Sequence, residues 1–359
     1  MAQTWREEIE KCFGKDVYIT GYSGESISSG SFVIDHLTGI GGFPLGNIVE
    51  IFGAEGCGKT TLALTVLKGA LEAKRPFLYL DYEQTVSDVY LHKLGIDPKK
   101  IKDYRLTPET IEDGWTVIRH FCERKENEGG VVVVDSLAAM MPKFDEEKSE
   151  KEMGQTKVGS VASVMAVAIR SNIQALRAAK VCLIFTNQER NKIDTYARGG
   201  GGKTTPGGLA TKFYAAMRLQ LDVRASVVDT KDNALVDAKE SKVVRAIKVG
   251  VKLIKNKFAP SYREGNIYII MDKGIDDYSS AIEIGKKLGL VTESAKGGYF
   301  EIDQKYSGDS LGKKKVQGFT RLRQYLVDNP EVWGIYLADI KLLLKSDNKS
   351  EGETKNDDE

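Results

Sequence analysis

A glycine-rich segment at residues 53–61, GAEGCGKTT, constrains this chain more than any other feature of its sequence. It matches the pattern G-x-x-x-x-G-K-[ST] and lies between a β-prone run, Ile48–Phe52, and a helical pattern, Thr60–Ala73, which is the context that a phosphate-binding loop requires. Glycines let backbone N–H groups converge on a phosphate chain, and the N-terminus of the next helix adds a positive dipole end. The segment therefore predicts a nucleotide site in a strand–loop–helix unit.

Phosphate chemistry assigns roles to the side chains of this loop. Lys59 should reach the β- and γ-phosphates of ATP, and the hydroxyl of Thr60 should ligate Mg²⁺. ATP and Mg²⁺ are therefore the expected cofactors. The other loop residues that we expect to contact the nucleotide are Gly53, Glu55, Gly56, Cys57, Gly58 and Thr61.

An acidic residue that could hold the metal follows the run Val131–Val134. Such a run of β-branched residues is typical of a strand buried on both faces, and Asp135 stands at its carboxyl end. Ligands of open α/β sheets bind at that edge. We therefore expect Asp135 to hold the Mg²⁺ shell through water, with Ser136 in the same hydrogen-bond network.

Two further carboxylates, Asp81 and Glu83, are candidates for the catalytic base. Glu83 follows the predicted strand Phe77–Asp81, where a carboxylate can orient and deprotonate the water that attacks the γ-phosphate. Asp81 is the competing choice, and the spacing of the residues does not separate the two. The predicted reaction is ATP hydrolysis.

Strand-like and helix-like segments alternate from Ile48 onward, and this alternation predicts the fold class. It favours an α/β protein with a doubly wound P-loop ATPase core and a mostly parallel sheet. Later strands stand closer together and suggest added antiparallel pairs. The further predicted elements are helices at Thr110–Glu126 and Val158–Ala179 and strands at Val181–Thr186, Met217–Val223, Ser241–Ile254 and Asn266–Met271.

We divide the chain into four parts. Residues 1–30 form an N-terminal polymerisation arm and linker, with a short helix and a short strand, and residues 31–272 form the ATPase core. Residues 273–345 form a small α/β C-terminal domain. The acidic tail at 346–359 has no apolar residue to bury, so we expect it to be disordered.

The composition excludes several classes of protein. The 359 residues carry a formal net charge of only +1, so any basic surface must be local and offset by acid elsewhere. Its cysteines have neither zinc-site nor C-x-x-C spacing, which predicts no disulfide framework and no cysteine metal site. No apolar stretch approaches the roughly 20 residues of a membrane span, and the N-terminus lacks a signal-peptide pattern. We expect a cytoplasmic protein with no membrane partner.

Several further motifs resemble those of bacterial-type RecA recombinases, including phage- or plasmid-encoded members. The resemblance runs from about Ser26 to about Leu344 and is strongest from Ile27 to Ala259. The phosphate loop alone identifies a large superfamily, whereas the combination of Asp-x-Glu, Asn-Gln before a glycine-rich loop, and Lys-Asn-Lys is far more specific. The segments that carry the resemblance are 27–35 (ISSGSFVID), 41–53 (GGFPLGNIVEIFG), 81–83 (DYE), 94–97 (LGID), 132–139 (VVVDSLAA), 185–188 (FTNQ), 205–208 (TPGG), 212–218 (KFYAAMR) and 255–257 (KNK).

The resemblance implies roles that the spacing leaves open. It identifies Glu83 as the catalytic base, Tyr90 as the residue that stacks on adenine, and Gln188 as the γ-phosphate sensor. Lys255 and Lys257 resemble the lysines that one subunit inserts onto its neighbour's γ-phosphate. The resemblance also implies a subunit interface at Lys212, Phe213 and Arg218.

Two segments resemble the DNA-binding loops of the family, residues 148–159 and residues 189–208. The second has basic residues interleaved with apolar ones, which suits single-stranded nucleic acid because cations contact phosphates and bulky groups contact bases. Ser163 stands where the family has another arginine. The residues that we expect to contact DNA are Val158, Gly159, Arg170, Arg190, Lys192, Ile193, Arg198, Lys203, Gly207 and Gly208.

The function that these features predict is homologous recombination. A helical filament on single-stranded DNA would pair with a homologous duplex and exchange strands, with DNA-stimulated ATP hydrolysis and possible mediator proteins as partners. DNA repair and the SOS response to DNA damage are the expected settings. Two alternatives stay open from the sequence: a ring-forming helicase or regulatory ATPase on the same core, and a binding protein that no longer hydrolyses ATP.

Overall fold

The computed structural model describes residues 24–146, 160–191, 203–204, 208–229, 235–237, 244–294, 298–306 and 314–353. The predicted arm, apart from its last residues, and the first predicted DNA loop lie outside these ranges. The predicted DNA contacts outside them are Val158, Gly159, Lys192, Ile193, Arg198 and Gly207.

Strands and helices alternate through the first two thirds of the described chain. The strands are β1 (Ser26–Ile27), β2 (Phe43–Pro44), β3 (Ile48–Gly53), β4 (Phe77–Asp81), β5 (Arg105–Leu106), β6 (Val131–Asp135), β7 (Cys182–Gln188), β8 (Arg190–Asn191), β9 (Lys203–Thr204), β10 (Met217–Asp229), β11 (Leu235–Asp237), β12 (Val244–Asn256), β13 (Glu264–Ile270), β14 (Gly274–Ile275), β15 (Val291–Glu293), β16 (Tyr299–Ile302) and β17 (Lys314–Gln317). The helices are α1 (Phe32–Thr38), α2 (Lys59–Glu72), α3 (Asp88–Lys93), α4 (Pro98–Ile101), α5 (Ile111–Glu123), α6 (Lys143–Glu146), α7 (Ser160–Ala178), α8 (Gly208–Tyr214), α9 (Asp277–Lys287), α10 (Phe319–Asp328) and α11 (Pro330–Glu353).

One large mixed sheet organises the core. Its order is β14-β13-β12-β10-β3-β7-β6-β4-β5, with β11 paired to β10. The strands from β10 through β3 to β5 are parallel, and β10, β12, β13 and β14 pair antiparallel. The predicted α/β class, with a parallel centre and added antiparallel strands, is confirmed. Because parallel strands end at the same edge, the carboxyl ends of β3, β4, β6 and β7 lie side by side.

Both faces of the parallel centre are covered by helices. On one face α2 buries Leu62, Leu64 and Leu67, and on the other α5 buries Trp115 and Ile118. Side chains alternate between faces along a strand, so β6 needs apolar residues at every position. This requirement explains the unbroken valine run that precedes Asp135.

The predicted ends of the outer strands differ from those observed: β10 ends at Asp229 rather than Val223, and β12 covers Val244–Asn256 rather than Ser241–Ile254. Strands β10 and β12 have 13 residues each, since they pair along their length with one another and extend past the parallel centre. Helix α11 continues to Glu353, eight residues into the segment for which the sequence predicts disorder. Once a packed helix is nucleated, each added residue gains a backbone hydrogen bond at little further cost, so the polar residues continue the helix.

A small α/β unit follows the large sheet. It comprises α9, α10, α11 and the three-stranded sheet β15-β16-β17, and β14 still pairs in the large sheet just past the predicted boundary at 272. Arg323 donates to both carboxylate oxygens of buried Asp276, at 2.7 and 3.0 Å. This bidentate pair ties α10 to the start of α9.

Within the described residues no helix is long and apolar enough to cross a bilayer. In the same part of the chain Cys57, Cys122 and Cys182 are free and buried.

Packing between α9 and α11 predicts opposite effects for two glycine substitutions. A Cβ on Gly285 would lie 1.8 Å from the hydroxyl oxygen of Tyr336, so we expect Gly285→Ala to force the helices apart and cost about 1–3 kcal/mol of unfolding free energy. A Cβ on Gly334 meets no atom within 4 Å, so Gly334→Ala should stabilise α11 by about 0.5–1 kcal/mol. Denaturant titration of both variants measures the difference, and equal effects would contradict this packing.

Candidate nucleotide site

The loop between β3 and α2 has glycines at positions where neighbouring residues leave no room for a side chain. A Cβ on Gly53 would lie 2.2 Å from the carbonyl oxygen of Leu221, in the neighbouring strand. Gly58 has a φ of +88°, and a Cβ there would lie 2.2 Å from Cδ1 of Ile269. The sheet therefore holds the loop in a conformation that presents backbone rather than side chains to a ligand.

The ammonium group of Lys59 lies within this loop. Its Nζ donates to the carbonyl oxygens of Ala54 at 2.7 Å and Gly53 at 3.2 Å, and lies 3.8 Å from Sγ of Cys57. Burial raises the pKa of the Cys57 thiol, which keeps it neutral beside the lysine. A glycine cradle with a cation at its centre fits the phosphates of a nucleotide.

Hydroxyl groups surround the carboxylate of Asp135 at the end of β6. Tyr79 donates to Oδ2 at 3.3 Å, Thr186 donates to Oδ1, and the Thr60 hydroxyl also hydrogen-bonds to the carboxylate. Burial raises the pKa of Asp135, while the bonds from Thr186 and Thr60 act in the opposite direction. The described residues give this carboxylate no cationic partner, so the pair Thr60 and Asp135 fits a hydrated Mg²⁺ that would supply the missing positive charge.

The two candidate bases have different surroundings. Asp81 is fully buried, and its Oδ2 accepts from Nη2 of Arg105 at 2.7 Å while its Oδ1 accepts from the backbone of Gln84 at 2.8 Å. Glu83 is half-buried, and its Oε1 accepts from the hydroxyl of Ser136. Asp81 is therefore committed to an ion pair, whereas Glu83 keeps an oxygen for a water.

The two threonines of the loop have different partners. Thr61 Oγ1 lies 2.6 Å from the hydroxyl oxygen of Tyr90, and Thr60 hydrogen-bonds to Asp135. Tyr90 is half-buried at the first turn of α3, where its backbone N–H donates to the cap residue Ser87 at 3.1 Å. The structure thus brings the predicted adenine-stacking residue against the phosphate-loop helix.

Gln188 lies beside the phosphate loop. As the last residue of β7 it pairs with Gly53 in the parallel register, and the next residue, Glu189, donates its N–H to the Gly53 carbonyl at 3.1 Å. A side chain at this position adjoins the loop that would hold the terminal phosphate.

The predicted interface residues cluster at the opposite edge of the sheet. Lys255 pairs with Arg218 in the antiparallel register, and Arg218 pairs with Glu50, three residues before Gly53. Nζ of Lys255 donates to the carbonyl oxygens of Lys212 and Phe213, both at 2.8 Å. Burial lowers the pKa of Lys255, as do the nearby cations Lys257 and Arg218.

Sequence reasoning missed a set of buried polar contacts in this region. Nε of Arg218 donates to Glu50 at 2.5 Å within the same chain, and its place at a subunit interface stays a prediction. Glu50 also accepts from Asn187 at 2.9 Å. The signal was present: Glu50 is a carboxylate inside the otherwise apolar strand IVEIFG.

Four of the predicted DNA-contacting residues lie in the described part of the chain. Arg170 is exposed on α7, and the backbones of Arg190 and Lys203 belong to the paired strands β8 and β9. Gly208 begins α8 with a φ of +68°, and a Cβ there would lie 2.5 Å from Cβ of Ala162 on α7. Their contacts with DNA stay predictions.

Comparison with known proteins identifies one family. The model described as the RecA N-terminal domain matches residues 2–276. The chain is 35% identical to Protein RecA of Aquifex aeolicus over 90% of its own length and 87% of that protein. It is 36% identical to Protein RecA of Thermotoga neapolitana over 91% of its length and 88% of that protein. Among solved structures, a RadB recombinase matches with a TM-score of 0.46 and 19% identity, over 70% of this chain and 99% of that one.

The geometry of the loop predicts that Gly53→Ala removes nucleotide binding. The added methyl group would displace either the Leu221 carbonyl or the loop, and Lys59 would lose its place at the loop centre. Binding of a fluorescent ATP analogue measures the loss, and Gly69→Ala on the following helix is the control because a Cβ there meets no atom within 4 Å. Saturable binding by Gly53→Ala at wild-type concentrations would contradict the predicted cradle.

Proposed function

The chain belongs to the RecA family of ATP-dependent homologous recombination proteins, and we propose that it hydrolyses ATP in response to single-stranded DNA at a site completed by a neighbouring subunit. Proteins of this family use nucleotide and Mg²⁺, bind DNA and form filaments. The finer proposals concern the residues of this chain and the DNA partners.

We assign Glu83 as the base because Asp81, the competing carboxylate, is paired with Arg105. One oxygen of Asp81 accepts from Arg105 and the other from the backbone of Gln84, so a water that transferred its proton there would have to disturb an ion pair inside the core. Glu83 has only the neutral hydroxyl of Ser136 as a described partner of its carboxylate, and it stands beside Asp135 at the same sheet edge. It is thus able to orient a water and take its proton.

Lys59, Thr60 and Asp135 hold the nucleotide and its metal ion. When bound, ATP would supply the phosphoryl group, and Mg²⁺ would neutralise the negative charge that develops during its transfer. Lys59 turns from the loop carbonyls toward the phosphates, and Thr60 and Asp135 orient the metal shell. Gln188 lies beside the loop and reports an occupied phosphate position to residues 189–208.

Lys255 and Lys257 act on the neighbouring subunit's nucleotide. Lys255 is in register with Arg218 and, through it, with Glu50, which precedes Gly53 by three residues. At about 3.3 Å per strand residue, the two positions lie about 10 Å apart along the strands. Nζ of Lys255 is bonded to the end of α8 instead. Lys255 therefore does not reach the phosphate loop of its own chain. A cation supplied by the next subunit would stabilise the charge of the transition state, as in other P-loop proteins.

The DNA partners that we propose are single-stranded DNA and a homologous duplex. Base pairing between the strands would read the sequence, so the protein needs only backbone and stacking contacts. Arg170 and the residues of the 189–208 segment supply them.

Two substitutions test the choice of base. Glu83→Gln should lower kcat of DNA-stimulated hydrolysis by about 10²–10⁴-fold while nucleotide binding persists, because only the proton acceptor is lost. Asp81→Asn should lower the unfolding temperature, since Arg105 loses its ion pair, and should retain turnover in the folded protein. Steady-state kinetics with thermal melting separates the variants, and wild-type turnover by Glu83→Gln would refute the assignment.

A mixing experiment tests action between subunits. Lys255→Ala and Glu83→Gln should each be inactive alone, yet a 1:1 mixture should regain activity, because about a quarter of randomly formed head-to-tail interfaces combine an intact Glu83 with an intact Lys255. Activity of Lys255→Ala alone, or a mixture as inactive as its components, would contradict a lysine acting in trans.

A further inference from the structure

A polar layer lies on the face of the sheet near α8; within it Glu50 and Asn187 are buried, and Arg218 and Lys255 are half-buried. Glu50 has no exposed surface, although it stands in the middle of the apolar strand β3. Burying a carboxylate is costly unless it is paired and hydrogen-bonded. Both of its oxygens accept hydrogen bonds, one from Asn187 and one from Arg218. Asn187 precedes Gln188, and Arg218 pairs with Lys255.

The first contact leads to Gln188. Oε1 of Glu50 accepts from Nδ2 of Asn187 at 2.9 Å, which fixes the orientation of that amide. Oδ1 of Asn187 is therefore turned toward the backbone and accepts from the N–H of Gln188 at 3.0 Å. Through Asn187, Glu50 sets the backbone from which the phosphate-sensing side chain projects.

The second contact leads to Lys255. Oε2 of Glu50 accepts from Nε of Arg218 at 2.5 Å, and the guanidinium of Arg218 lies 4.6 Å from the ring centroid of Phe52. Lys255 pairs with Arg218 and lies close enough to feel the opposing charges of Arg218 and Glu50. The carboxylate thus offsets the repulsion between two neighbouring cations.

We propose that Glu50 is a positioning residue that couples the two nucleotide sites served by one chain, by holding Gln188 for its own site and Lys255 for the neighbour's. The inference rests on the proposed function of Gln188 and Lys255. Glu50 contacts no nucleotide itself. Through Asn187, Glu50 fixes the backbone that leads into the 189–208 segment. Through Arg218, it stabilises the end of β12, where Lys255 is bonded to the end of α8.

The central test is Glu50→Gln in the full-length protein, assayed with ATP, Mg²⁺ and single-stranded DNA. The substitution keeps the size of the side chain and an oxygen for Asn187 but removes the charge that holds Arg218. We expect the kcat of DNA-stimulated hydrolysis to fall by about tenfold or more, as misplaced reacting groups do, with the KM for ATP changed far less because the phosphate loop is intact. A structural role alone would not produce this split between kcat and KM.

Asp276→Asn is the matched control. Asp276 is also a buried carboxylate that accepts two hydrogen bonds, but its partner is Arg323 in the C-terminal unit. Its loss should lower the melting temperature without lowering the ratio of DNA-stimulated to basal turnover. If Glu50→Gln lowers that ratio no more than Asp276→Asn does, the inference is overturned.

The double variant Glu50→Leu, Arg218→Met decides the matter if Glu50→Gln does not fold. It removes both charges together, so no uncompensated ion remains in the core, and such replacements are often neutral for stability. We expect a folded protein that binds the fluorescent ATP analogue but has lost DNA stimulation. Stimulation at the wild-type ratio would overturn the inference.

The wild-type protein separates this inference from the proposed function. If the wild type shows no DNA-stimulated hydrolysis, the proposed function fails, and the coupling role fails with it. A different combination of results would refute the role of Glu50 alone. In it, DNA stimulates the wild type, Gln188→Ala abolishes the stimulation, and both Glu50 variants retain it.

Discussion

The carbonyl oxygen of Gly53 accepts hydrogen bonds from Nζ of Lys59 at 3.2 Å and from the backbone N–H of Glu189 at 3.1 Å. Three parts of the molecule meet at this residue: the phosphate loop, the strand β7 that ends in Gln188, and the strand β10, whose Leu221 carbonyl leaves no room for a Cβ on Gly53. None of them can move by an ångström without disturbing the others, because protein interiors are closely packed. The parallel register of β3 with β7 and β10 therefore places the phosphate loop next to Gln188, the proposed phosphate sensor.

Carboxylates at neighbouring strand positions take different roles because their partners differ. Asp81 faces Arg105 and is neutralised by it, whereas Asp135 faces hydroxyls and lacks a cation among the described residues. Glu83 is less buried and accepts from one hydroxyl. A buried ion pair commits a carboxylate to its partner, so the carboxylates proposed for metal and proton chemistry are those without a basic partner among the described residues.

Local pattern predicted much of this arrangement. The motif around Lys59 and the valine run before Asp135 depend on short-range requirements, namely close backbone approach and burial on two faces, and both expectations match the structure. The choice between Asp81 and Glu83 could not be read from spacing, because Arg105 lies 24 residues from Asp81 in sequence and meets it only when β5 pairs with β4. The contact of Glu50 with Arg218 spans 168 residues and depends on the same kind of long-range pairing. The length of β10 was also beyond local pattern, since its residues after Val223 extend in pairing with β12.

The proposed action of Lys255 on a neighbouring subunit would make the nucleotide site depend on assembly. In the single chain its Nζ donates to two carbonyl oxygens, of Lys212 and Phe213, and burial and adjacent cations lower its pKa. Releasing those bonds is unfavourable unless a stronger acceptor replaces them, and a phosphate carries the full negative charge that a carbonyl lacks. If Lys255 acts in trans as proposed, it would leave α8 only when a neighbouring subunit presents a nucleotide. The end of α8 would then lose its hydrogen bonds with Lys255 when the neighbouring nucleotide site gains that lysine. Because α8 directly follows the 189–207 segment, a nucleotide bound at one site would change the support of the predicted DNA-binding segment on the next subunit.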